Sequence, residues 1–132
     1  MTRINLVDPQ ELHPKHLLGE WHEIVRVFSL VRALRERGIN RFNYQKRLKV
    51  PKAFTMGKGH VTFFYDKMDF IAKRYESLAV EMERRGYAPK RIPMTELLHG
   101  VEPFFVQDYQ PTPEAITISK QRIAEMMPTN GS

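Results

Sequence analysis

Residues 14–38 read PKHLLGEWHEIVRVFSLVRALRERG, and this stretch decides the fold. Leu17, Trp21, Ile24, Val25 and Phe28 recur at steps of three and four, which lays one apolar stripe along a helix. The pattern predicts a helix from Pro14 to Arg37, stopped at Gly38, a natural residue just past a helix end. Farther along, Val61, Phe64, Tyr65, Met68, Ile71, Tyr75, Leu78 and Met82 repeat the same spacing. They predict a second helix from Gly59 to Arg85, ended by Gly86, with its aromatic side chains in the core. Thr112-Pro113-Glu114 supplies a cap residue, a proline at the first helical position and an acid in the first turn. A third helix is therefore predicted from there to just before Pro128, with a short turn of helix over Thr95 to Leu98. No segment alternates cleanly, so strands are not expected. The fold class is all-α: a compact single domain over residues 1–132, with three main helices joined by long basic loops.

The composition agrees. The chain has 132 residues, 42% of them hydrophobic and 27% charged, enough apolar material for one core. No apolar run approaches the roughly 20 residues of a spanning helix. Met1-Thr2-Arg3-Ile4-Asn5 lacks the apolar stretch of a signal peptide. A cytoplasmic protein is expected, with no membrane partner. There are no cysteines, which excludes a disulfide framework, a thiol nucleophile and thiolate metal ligands.

The net charge is +6, and its source is local. Arg32, Arg35, Arg37, Arg41, Lys46, Arg47, Lys49, Lys52 and Lys58 stand in one segment with Glu36 as the only acid. Nine cations less one anion leave +8 there, more than the whole chain carries. A basic run of this kind suits a polyanion such as double-stranded DNA. Gly57-Lys58-Gly59-His60 falls at the expected start of the second helix, where a phosphate would meet free N–H groups. The Walker pattern is absent, which argues against a nucleoside triphosphate.

On the first helix, His16, Glu20 and Glu23 fall within about 60° of one another at 100° per residue, with Arg26 and then His22 farther round. The wheel puts this cluster opposite Trp21 and outside the core. One reading is an ordinary charged surface, with Glu23 and Arg26 paired at i,i+3. A zinc site fails, because the HExxH pattern begun at His22-Glu23 meets Arg26 where a second histidine is required. No metal or organic cofactor is expected. The N-terminus is a further candidate nucleophile. Thr2 is small enough for Met1 to be removed, and an α-amine is about 14% neutral at pH 7, against about 0.04% for a lysine.

These residues together resemble the pyrimidine-dimer DNA glycosylase family, the phage-type endonuclease V proteins. The likeness runs through Thr2-Arg3-Ile4-Asn5-Leu6, His16-Leu17, Glu20, Glu23 and Arg26-Val27-Phe28. It continues through Gly57 to Lys67, Asp108-Tyr109 and Ile116 to Ser119, and reaches Arg122. It implies a DNA repair enzyme that removes a base at a cyclobutane pyrimidine dimer and then cuts the strand as an abasic-site lyase. By position, Thr2 is the nucleophile and Glu23 the catalytic carboxylate. Arg3, Arg26 and Arg122 match positions that contact DNA and lesion, and His16 matches one near the reacting sugar. His22 stands where known members carry an arginine, and Arg47, Lys49 and Lys58 belong to the basic surface. Other departures are Lys15 for a glutamine, Met126 for a lysine of some members, a few more residues between Gly38 and Gly57, and no Trp/Tyr-rich tail before Ser132. A monomer is expected. Two other readings stay open: a non-catalytic DNA-binding module, and an enzyme of the same mechanism for a different base lesion.

Overall fold

A computed structural model describes residues 3–127. Five α-helices follow one another: α1 Pro14–Arg32, α2 Tyr44–Leu48, α3 Met68–Arg84, α4 Met94–Leu97 and α5 Pro113–Glu125. Three 3₁₀ turns lie between or before them, at Pro9–Glu11, Thr62–Phe64 and Pro103–Phe105. The described residues contain no strand, so the all-α expectation with three main helices is borne out. None of these helices is long and apolar enough to cross a membrane.

α1 and α3 form the centre. Leu17, Ile24 and Phe28 of α1 meet Ile71, Tyr75 and Leu78 of α3, all fully buried. Trp21 stacks on Tyr75 with ring centroids 4.5 Å apart. A second aromatic group fills the space under the loops, where Phe54, Phe63, Phe64 and Tyr109 pack edge to face. The expectation that the aromatic repeat is core therefore holds.

Both long helices are shorter than the sequence pattern suggests. α1 stops at Arg32 instead of Arg37. The Leu34 N–H bonds the Val31 carbonyl, an i−3 bond that tightens the turn. At 3.6 residues per turn Leu34 would stand about 60° off the line of Val31; three per turn brings the two into line and buries Leu34. The chain then closes at Gly38, whose φ of 69° allows Ile39 N–H to reach back to the Leu34 carbonyl.

α3 begins at Met68, well after the expected Gly59. Phe63, Phe64 and Tyr65 are consecutive and all buried, and an amphipathic helix cannot turn three successive side chains to one core. The chain uses a 3₁₀ turn there, breaks at Lys67 and restarts. Asp69 and Phe70 donate their N–H groups to the Gln107 carbonyl, which satisfies two of the donors a helix start leaves open. α5 starts as expected, with Thr112 Oγ1 accepting from Ala115 N–H at 3.1 Å. The short helix near Thr95 is present as α4, while α2 has too few residues to show a period in the sequence.

Candidate active site and DNA-facing surface

The residues before α1 do not pair as a strand, yet Ile4, Asn5, Leu6 and Val7 are buried. Side chains from four parts of the fold hold this segment. Arg3 N–H donates to Glu23 Oε2 on α1 at 3.0 Å. Ile4 N–H donates to His60 Nε2 at 2.9 Å. Leu6 N–H donates to Ser119 Oγ on α5 at 2.9 Å, and the Val7 carbonyl accepts from Arg74 Nη1 on α3 at 2.6 Å.

Between this segment, the first half of α1 and the last turns of α5 lies a cavity of about 300 Å³. That is at the lower end of the range for sites that hold a small molecule. Arg3, Asn5, Lys15, His16, Glu20, Glu23 and Arg122 line it. So Arg3, His16, Glu23 and Arg122 come together at one cavity. His22 and Arg26 are exposed on α1 and do not line the cavity; Arg26 borders a shallow apolar depression with Val25, Ser29 and Leu30. Thr2, the expected nucleophile, lies outside the described residues.

The two glutamates of α1 have different surroundings. Glu20 is 3% exposed, which corrects its expected place outside the core. It takes two hydrogen bonds from Arg74, at 2.7 and 3.0 Å, and one from Asn5 Nδ2 at 2.8 Å. The wheel misplaced it because Asn5 of the N-terminal segment and Arg74 of α3 close over it. Glu23 is half-buried, and its described hydrogen bond comes from a backbone N–H rather than from Arg26. Glu20 is thus neutralised by its own cation, while Glu23 faces a cavity rimmed by Arg3, Lys15 and Arg122.

Three buried side-chain atoms among the described residues have no hydrogen-bond partner: Asn5 Oδ1, His16 Nδ1 and Arg122 Nε. All three residues line this cavity. Leaving a buried polar atom unpaired costs about 1–3 kcal/mol, so each of these atoms calls for a partner such as water or a bound group. His16 Nε2 lies 3.2 Å from the Met126 carbonyl, which only accepts, so the proton sits on Nε2 and the Nδ1 lone pair is the orphan. Burial lowers the His16 pKa from its ordinary 6.5, with His13, Lys15 and Arg3 pushing the same way against the Met126 carbonyl. The ring is therefore mostly neutral at pH 7.

His60 is buried below the segment, a placement its sequence motif did not signal. Its Nε2 accepts from Ile4, so its proton must be on Nδ1, which donates to the Thr55 carbonyl at 2.7 Å. Burial lowers its pKa from 6.5, and Arg3 adds to that, against opposing effects of the Thr55 carbonyl and Glu20. Folding therefore favours the neutral ring. That contribution is complete above the unfolded value of 6.5 and is lost as pH falls below it toward the lowered folded value. His60→Ala is expected to cost about 1–3 kcal/mol and to flatten the fall in stability on acidification. Urea midpoints from about pH 5 to pH 8 measure both. Equal pH slopes in parent and variant would remove His60 from this role.

In the basic segment every cation but Arg32 is exposed; Arg32 turns inward to the Leu97 carbonyl at 2.7 Å. Arg47 and Lys49 sit on and just after α2, where Lys49 holds a left-handed φ of 52° that glycine usually takes. Lys58 is exposed, but it does not stand at a helix start as expected. Gly59 instead makes a turn with φ of 89°, where a Cβ would come within 3.1 Å of Pro51.

An all-helical domain with an exposed cationic segment and a cavity where the Glu23 carboxylate stands among arginines has the parts of a nucleic-acid-processing enzyme. The family model for pyrimidine dimer DNA glycosylases matches residues 1–93. The chain belongs to that family, and DNA is its substrate. The match spans α1, the basic segment and α3 and ends before α5, so Arg122 and Ser119 lie outside it.

Proposed function

We propose that this chain excises the damaged base at a cyclobutane pyrimidine dimer and then cleaves the strand at the abasic site, through an imine on the α-amine of Thr2. The observation that carries this reading is the cavity that Glu23 lines together with Arg3, His16 and Arg122. Thr2 directly precedes Arg3, whose N–H is held on Glu23.

The chemistry balances without an external oxidant or reductant. With Met1 removed, the neutral amine attacks C1′ as the glycosidic bond breaks, and the displaced base takes a proton and stays joined to its neighbour through the cyclobutane ring. The sugar ring opens to a protonated imine. That cation acidifies the hydrogen on C2′; a base removes it, and the 3′ phosphate departs by β-elimination. Water then releases the enzyme. Glu23 stabilises the cationic sugar and moves protons. His16 Nδ1 accepts a hydrogen bond from the sugar, and Arg3 and Arg122 hold phosphate. Arg26, His22, Arg47, Lys49 and Lys58 extend the phosphate contacts outside the cavity. The protein acts as a monomer at the nucleoid.

Borohydride trapping on two duplexes tests the mechanism, one with an abasic site and one with a thymine dimer. The expected result is a covalent protein–DNA adduct mapped to Thr2 on both, lost when an N-terminal extension blocks the amine. An adduct on a lysine overturns the assignment. Trapping on the abasic duplex alone would point to a different base lesion.

A further inference from the structure

Phe42 is 84% exposed, the most exposed of the large hydrophobic side chains among the described residues. It sits outside the cavity, at the tip of the turn between α1 and α2. Its turn is tied by its own side chains. Asn40 Oδ1 accepts from Phe42 N–H at 2.8 Å and Asn43 N–H at 3.2 Å. Asn43 Oδ1 accepts from Asn40 N–H at 2.8 Å, and Asn43 Nδ2 donates to the Gly38 carbonyl at 3.1 Å. The ring is thus held outward by a fixed backbone. Arg41 lies over one face, its guanidinium carbon 4.8 Å from the ring centroid. Exposed Arg35, Arg37, Lys46, Arg47 and Lys49 belong to the same stretch.

A phenylalanine left in water forgoes about 1.5–3 kcal/mol of burial. The surrounding positive charge selects a polyanion with flat apolar faces to cover it, and a nucleobase in DNA has both properties. We propose that Phe42 stacks on a base of the bound duplex, adjoining the phosphate contacts of Arg41, Arg47 and Lys49. Duplex already unstacked by damage costs least to open for such a ring, so Phe42 favours damaged DNA. This rests on the DNA reading above.

Binding of fluorescein-labelled duplexes tests it, one carrying a tetrahydrofuran abasic analogue and one undamaged. Phe42→Ala is expected to weaken binding to the analogue duplex about tenfold, more than to the undamaged one. Its salt dependence and melting temperature should match the parent. Phe42→Trp should retain affinity and Phe42→Leu should not, because stacking needs a π face. By contrast, neutralising Arg47, Lys49 and Lys52 together should flatten the salt dependence. Binding of Phe42→Ala within about twofold of the parent, or full affinity with leucine, overturns the stacking role. So does a defect confined to anionic phospholipid vesicles. A parent protein that cuts the abasic duplex while Phe42→Ala binds normally refutes this inference alone; a parent that binds neither duplex refutes the DNA reading with it.

Discussion

Glu23→Gln should fold and bind abasic DNA like the parent and lose a factor of about 10² to 10⁴ in turnover. Glutamine has nearly the same shape, and its amide oxygen can still accept the Arg3 N–H that Glu23 holds at 3.0 Å. What disappears is the negative charge beside a developing sugar cation, and a group able to take and return a proton. That charge counts for more than it would on an open surface, since Glu23 is half-buried among residues that carry positive charge. Single-turnover rates on dimer and abasic duplexes, with melting temperature as a control, measure the effect. A loss below about tenfold on both substrates would leave Glu23 a structural anchor for the N-terminal segment.

Glu20→Gln should show the opposite profile. Glu20 and Arg74 are each under a tenth exposed and bonded through both guanidinium Nε and Nη2. Removing either partner leaves a buried charge without compensation, which costs about 3–5 kcal/mol. Arg74→Met alone should be comparable, with the added loss of its bond to the Val7 carbonyl. Combining Glu20→Gln with Arg74→Met leaves no charge behind and should recover much of the loss. Denaturant unfolding of the three variants forms the cycle. A cost below about 1 kcal/mol for either single change would place the pair with ordinary surface bridges. Trapping per folded molecule should fall far less in Glu20→Gln than in Glu23→Gln.

The contrast marks how far the sequence could be read. Spacing alone placed Glu20 and Glu23 on one face of a helix, and the helix is there. It did not show that Asn5 and Arg74 close over Glu20 there, because burial on the second side of a helix depends on partners far away in the chain. Arg74 carries no local signal: it is one cation in a charged helix until the fold brings it to Glu20. His60 stood in a glycine-rich motif read as a phosphate turn, and the structure puts its ring beneath Ile4. The helix ends were overrun for a related reason. Leu34 and the Phe63-Phe64-Tyr65 run continue a helical period, but burying them all requires tighter turns than that period allows. α1 and α3 were legible because each turns its stripe to the other, and α5 because Thr112-Pro113-Glu114 marks its start. The family resemblance, rather than any spacing rule, connected Glu23 to residues near the N-terminus.

The way residues 3–7 are held also sets an order of assembly. Their partners are Glu23, His60, Arg74 and Ser119, separated from them by 20, 56, 67 and 113 positions. Contacts of such long range are slow to form, since closing each loop must precede the bond that rewards it. During synthesis this segment leaves the ribosome before α5, and its bond to Ser119 cannot form until α5 has emerged and docked. The cavity is therefore among the last features of the molecule to be completed. On the mechanism proposed above, Thr2 gains its catalytic setting only in the finished fold.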